Sequence, residues 1–332
     1  MRIAIVKLSA LGDIVHAMVV LQFIKQFNND ILIDWVVEED YKELLEHHPE
    51  INKVHVINLK RSKKKLSLRL ILNNLRRLRK LKVYDLVIDM QGLMKSAILS
   101  RVIPSRVTIG FNRVSAREGL ASIFYTKTFN IGYERNIIER NFELIKLTLG
   151  LPFNLKEIKD KMPFMFSSRA YQNIVLSSSR KNILIIPGAS HSTKLYPVNK
   201  ISKLTKLLDA NIIIIWGNQS EKKIAEEIKA LNSDVNLTDQ LSIDQLIFLI
   251  SQVDLVIGPD TGPTHLAWAS NIPSITLFGS TPGYRNTLAS KKNQIIESKS
   301  KVNPLKIDKK DYSIQDIKVE EIFKVASSLL IE

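Results

Sequence analysis

The chain contains no cysteine, which excludes disulfides, zinc–thiolate centres and thiol nucleophiles together. It has no apolar run long enough to span a bilayer. Its first residues, MRIAIVKLSALGD, lack a signal-peptide layout, because the apolar segment is short and an aspartate follows the glycine. Those absences make the cytoplasm the expected compartment. No GxGxxG follows the first strand-like segment, so the usual dinucleotide fingerprint is missing. No Asp-x-Asp motif stands at a strand end, so a catalytic metal is not indicated. From Lys53 to Lys82 there is neither an acidic nor an aromatic residue.

What remains is an ordinary globular composition of 332 residues, 45% hydrophobic and 24% charged, with room for two domains. The net charge of +15 bears on partners and not on fold; polyanions, an anionic membrane or phosphorylated substrates all fit it. Much of that charge lies in one place. Lys60, Arg61, Lys63, Lys64, Lys65, Arg69, Arg76, Arg77, Arg79, Lys80 and Lys82 crowd together, while Leu68, Ile71, Leu72, Leu75, Leu78 and Leu81 recur at three- and four-residue steps. The spacing predicts a basic amphipathic helix after a basic loop. A charge run is usually a solvated face, but this asymmetry is too large for solubility alone. It suits an anionic membrane surface or a phosphorylated lipid. Nucleic acid is the competing partner, and the absence of an aromatic to stack a base counts against it.

Strand, turn and helix repeat along the chain. RIAIVK reads as a buried parallel strand, SALGD as a turn and IVHAMVVLQFIKQF as a helix. Asp13 stands at the mouth of that turn, at the strand end where open α/β sheets place ligands; it is either a general base or a complement to the helix dipole. YDLVIDMQG is a later strand ending in Gln91. Arg113 and Arg117 follow the strand VTIGFN, placed either to clamp an anion bidentately or simply as surface arginines. Composition changes between about Phe153 and Arg180, which marks the domain boundary.

The pattern then restarts with NILIIPGAS, followed by Lys194, a cation suited to a diphosphate. WGNQSE puts Glu221 in a first helical turn, to stabilise the helix or to accept sugar or ribose hydroxyls. The most telling stretch is VIGPDTGPTHLAW, in which a strand passes through glycine-containing turns into a helix with Pro263 in its first turn. Free N–H groups at such a helix start favour an anion; Asp260, Thr261 and His265 stand at its mouth, with capping or surface roles as the plain alternatives. Two such halves give an α/β chain with two Rossmann-like domains facing a cleft.

KLSALGDIVHA, DWVVEE, YDLVIDMQGLMKSA, REGLASIFY, WGNQSE and above all GPDTGPTHLAWA resemble bacterial heptosyltransferases of the GT-B fold, in order and over most of the chain. DWVVEE and DMQGLMKSA resemble the member that adds the first heptose. The resemblance implies an inverting, metal-independent transfer of L-glycero-D-manno-heptose from ADP-heptose to the Kdo residue of Kdo–lipid A in the lipopolysaccharide inner core. It implies Asp13 as base for the acceptor hydroxyl. The donor would lie against Ala189, Ser190, Lys194, Glu221, Leu241, Asp260, Thr261, Gly262 and His265, with Lys194 stabilising the leaving diphosphate. Lys7, Arg61, Lys63, Lys64, Gln91, Arg113 and Arg117 would fall on the acceptor side. By this reading residues 1–165 form the acceptor domain and 175–315 the nucleotide-sugar domain, and a final helix in 316–332 packs back on the first. The partners expected are ADP-heptose, Kdo–lipid A and the cytoplasmic face of the inner membrane, with no cofactor and no nucleic acid. A second-heptose enzyme or another nucleotide-sugar transferase is the near alternative, and a non-catalytic basic binding protein the distant one.

Overall fold

Ile3, Ala4, Ile5 and Val6 are all fully buried, as a strand must be when helices cover both faces of a parallel sheet. They form β1 (Arg2–Val6). The computed structural model describes residues 1–59, 67–168, 170–171, 175–304 and 307–331, in two units, Met1–Phe164 and Met165–Glu332.

In the first unit β1 is followed by α1 (Leu11–Met18), α2 (Val20–Phe27), β2 (Leu32–Glu38) and β3 (Lys53–Ile57). Then come α3 (Leu68–Arg79), β4 (Tyr84–Asp89), α4 (Met94–Val102), β5 (Ser105–Phe111), β6 (Lys127–Phe129) and α5 (Ile137–Leu149). All the pairings are parallel and the strand order is β3-β2-β1-β4-β5-β6.

The second unit contains β7 (Asn182–Ile185), α6 (Val198–Leu207), β8 (Asn211–Ile214), α7 (Gln219–Leu231), β9 (Asn236–Leu237) and α8 (Ile243–Ser251). It continues with β10 (Leu255–Pro259), α9 (Gly262–Ala269), β11 (Ser274–Phe278), α10 (Gly283–Asn286), β12 (Asn293–Glu297) and α11 (Val319–Ile331). Its order, β12-β11-β10-β7-β8-β9, repeats that of the first unit. Each sheet therefore reverses direction between its first and fourth strands, at β1/β4 and at β7/β10. Open α/β sheets bind ligands outside the carboxyl ends of the strands at that reversal.

The basic helix α3 turns Leu75 and Leu78 onto the first unit's core and points Arg76, Arg77 and Arg79 outward. Its apolar face is thus largely consumed by the fold, although Leu72 stays 50% exposed. The expectation for the last helix is corrected. Val319, Ile322, Ala326 and Leu329 of α11 lie in one core with Ile201 and Leu204 of α6 and Ile183 of β7, so this helix packs on the second unit. Its apolar residues, three and four apart, form one stripe, and α6 with the sheet beneath it covers that stripe. Lys203 pairs with Glu320 and the Tyr196 hydroxyl donates to the Ile317 carbonyl, fixing the approach to the helix.

Candidate active site

In the first unit the turn after β1 is held by its neighbour across the reversal. Val6 is in register with Asp89, so the chain leaving β4 runs beside the chain leaving β1. Gln91 Oε1 accepts from Leu8 N at 3.0 Å and Ser9 N at 3.3 Å. Lys7 is buried and its Nζ donates to the Met90 carbonyl at 2.9 Å. Burial pushes the Lys7 ammonium below its usual range, opposed by the carboxylate of Asp13. Asp13 is half-buried in the first turn of α1, and Ala10 N donates to its Oδ2 at 3.3 Å.

Asp89 anchors the same edge from beneath. Its carboxylate accepts from Gln91 N at 2.7 Å, Gly92 N at 3.2 Å and the Tyr125 hydroxyl at 2.8 Å. Burial raises its pKa, against the pull of those donors. Gly92 adopts φ +67°, a left-handed turn that glycine takes without strain, and its carbonyl accepts from Glu118 N at 3.1 Å. That bond brings Arg117 to the Gln91–Gly92 turn. Arg113 and Arg117 are both exposed. Arg61, Lys63 and Lys64 lie outside the described residues.

In the second unit Asp260 follows β10 and collects a set of donors. Its Oδ2 accepts from Lys194 Nζ at 2.7 Å, the Thr281 hydroxyl at 2.8 Å and Asn286 Nδ2 at 3.1 Å. Nε2 of His265 lies 3.0 Å from its Oδ1. Lys194 Nζ also donates to the Asp260 carbonyl at 3.1 Å. Burial alone would raise the Asp260 pKa, but Lys194 and His265 outweigh it and hold the carboxyl far below the usual range. The ammonium is thereby fixed at the strand edge, and Asp260 acts on it as a positioning group.

Thr261 occupies the N-cap position of α9 without its side chain capping the helix, and Gly262 and Pro263 begin the first turn. The helix start thus keeps the anion-binding character read from the sequence. Glu221 Oε2 accepts from Gly217 N at 2.7 Å, and the Asn218 side chain caps α7. A Cβ on Gly188 would fall 2.4 Å from Glu221 Cδ, so a larger residue in the turn after β7 would push this carboxylate out of its place. Ala189 is half-buried and Ser190 exposed on that turn; Leu241 is half-buried just before α8.

Lys194 and His265 are therefore both bonded to Asp260, and Gln91 bonds the turn that runs from Lys7 to Asp13. Sequence reasoning missed Thr281 and Asn286, which reach Asp260 from beyond β11. It also missed Asp89 and Tyr125; an aspartate at the very end of an apolar strand was the available signal. Among the described residues no group of three or more His, Asp or Glu could hold a metal ion.

Two parallel six-stranded Rossmann-like sheets in one chain, each with polar groups at its reversal, are the architecture of GT-B glycosyltransferases. The model of glycosyltransferase family 9 (heptosyltransferase) matches residues 72–313. Lipopolysaccharide heptosyltransferase 1 of Campylobacter coli is 38% identical, covering 99% of each chain. Its namesake from Pseudomonas aeruginosa is 30% identical over 86% of this chain and 80% of its own. The solved structure of the E. coli heptosyltransferase WaaC with ADP shares the fold, at TM-score 0.82 and 24% identity, covering 99% of this chain and 100% of that one. The chain belongs to glycosyltransferase family 9, the heptosyltransferases.

Proposed function

We propose that this chain moves heptose from ADP-heptose onto the Kdo residue of Kdo–lipid A, the first heptose of the lipopolysaccharide inner core. The observation that carries the donor chemistry is Lys194 held 2.7 Å from the buried Asp260 at the start of α9. A fixed cation beside free helix N–H groups stabilises charge as a diphosphate departs, a contribution typically of several kcal/mol. Asp13 takes the acceptor's hydroxyl proton as the oxygen attacks the anomeric carbon. The bond from that carbon to the diphosphate oxygen breaks, ADP leaves with the electron pair, and the anomeric centre inverts. Glu221, Ala189, Ser190, Leu241, Thr261, Gly262 and His265 line the donor side. Lys7, Gln91, Arg113, Arg117 and the basic 60–65 segment serve the acceptor.

No helix among the described residues is long and apolar enough to cross a membrane. The excess of cations supports work at the anionic, cytoplasmic surface of the inner membrane, where a phosphorylated glycolipid acceptor is presented.

The test is ADP release from ADP-heptose with and without Kdo–lipid A, for wild type and Asp13→Ala. Acceptor-dependent release that falls at least about a hundredfold in a folded Asp13→Ala is expected for a lost general base. Undiminished release in that variant removes Asp13 from the mechanism. No release by wild type from any activated sugar would sink the reading as a whole.

A further inference from the structure

The loop after β5 carries an exposed apolar surface that the fold does not use. Val114 is 74%, Leu120 60% and Ile123 72% exposed. Leu120 and Ile123 lie three apart in a 3-10 turn, Gly119–Phe124, and in that geometry residues i and i+3 stand on one face. The other side of the turn is what holds it down: Ala121 and Tyr125 pack with Ala97 of α4. Arg113 and Gly119 are in contact, since a Cβ on Gly119 would fall 2.6 Å from the Arg113 carbonyl oxygen. Val114 is therefore next in chain to a residue that touches the turn carrying Leu120.

Charge around this surface is mainly positive. Arg113, Arg117 and Lys95 are exposed beside it. The acid in the stretch, Glu118, has its carboxylate bonded to Met94 N at 2.6 Å, at the start of α4. The loop leaves the carboxyl end of β5, the edge that also carries Asp13 and Gln91.

We infer that Val114, Leu120 and Ile123 form an insertion point that seats the first unit in an anionic lipid bilayer, with Arg113 and Arg117 at headgroup level. Apolar side chains ringed by arginine fit the boundary between acyl chains and anionic headgroups. The basic helix α3 offers less apolar surface for this contact, because Leu75 and Leu78 are turned into the core. The choice of a bilayer as partner rests on the functional reading above: an acceptor anchored in a membrane must be met at its surface. The insertion point sits at the strand edge assigned to that acceptor.

A chain without cysteine permits a clean test. Ile123→Cys carries a polarity-sensitive fluorophore and is mixed with vesicles of phosphatidylglycerol and phosphatidylethanolamine lacking any acceptor. The label is expected to shift to the blue, and the same label on Leu72→Cys of α3 to stay in water. Leu120→Ser/Ile123→Ser is expected to lose vesicle partitioning on the order of a hundredfold, the scale of two apolar side chains returned to water. That double variant keeps wild-type ADP release with a water-soluble, deacylated Kdo acceptor and loses it with the acceptor in vesicles. A label that stays in water while the protein floats with vesicles overturns the proposal. So does a label already blue-shifted without vesicles in a dimer that the double variant dissociates. Failure of wild type to turn over the soluble acceptor counts against the functional reading, while the vesicle measurements still decide the insertion point.

Discussion

Lys194 and the buried Asp260 form an ion pair, 2.7 Å from Nζ to Oδ2, that joins the chain leaving β7 to the chain leaving β10. Removing one partner of such a pair leaves a charge uncompensated, which costs about 3–5 kcal/mol. Asp260→Asn is therefore expected to lower stability by roughly that amount and to raise the KM for the donor while lowering kcat. Lys194→Ala removes the cation itself and is expected to cut kcat by about a hundredfold or more. Denaturant melts alongside steady-state kinetics separate the two effects; a Lys194→Ala enzyme with unchanged kcat would refute the assignment.

Gln91 shapes the turn that carries Asp13 by accepting from two backbone N–H groups. Gln91→Ala leaves both donors without that acceptor, and each such bond is worth about 0.5–1.5 kcal/mol. The expected result is a lower kcat, of order tenfold for a displaced base, with the donor KM nearly unchanged. A rise in donor KM instead would place Gln91 in a different role.

His48 is buried, and burial pushes its pKa down to about 4. Between that value and the ordinary histidine range near 6.5, the unfolded chain binds a proton that the folded chain refuses. Stability is therefore lost as pH falls through this window, by up to about 3 kcal/mol. His48→Phe should flatten the stability profile between pH 4 and about 6.5, as read by urea unfolding at a series of pH values.

Asp34 behaves in the opposite chemical sense with the same outcome in acid. Arg2, His55, Tyr84 and Asn52 all reach its buried carboxylate. Burial would raise its pKa, but these partners outweigh it and hold it well below the ordinary value. Its stabilisation is present above about pH 4 and disappears as pH falls through the depressed folded value. Asp34→Ala should destabilise the first unit by about 3–5 kcal/mol at neutral pH, and the loss should shrink in strong acid.

In α11, Ile322 is fully buried in the second unit's core. Ile322→Ala should cost about 2–5 kcal/mol through lost burial and a cavity. Calorimetry that resolves two transitions should show the second unit's transition lowered and the first unit's unmoved.

The repeated strand, turn and helix could be read in sequence because buried parallel strands are continuous apolar runs and their turns are polar. Asp260 could be read for the same reason, as a polar residue standing immediately after such a run, and Lys194 and His265 as polar residues of the turn and helix that follow one. What could not be read was which groups meet. Thr281 and Asn286 reach Asp260 from another strand end, and only strand order brings them there. Nor does the apolar face of α11 name its partner: periodicity shows that a helix packs, and the neighbouring surface decides where. Arg140 was invisible within an apolar helix, yet its guanidinium is buried against the rings of Phe111 and Tyr133 and donates to the Ser115 carbonyl.

The place of α11 also sets an order of events during synthesis. Every helix and strand of the first unit precedes Phe164, so that unit can close while the remainder is still on the ribosome. The second unit cannot do the same. Its first strand, β7, shares a core with Ile322 and Leu329, which emerge last of all its buried residues. Until α11 has been made the second unit's core keeps an apolar strip uncovered, and such a strip is open to chaperone capture and early proteolysis during synthesis.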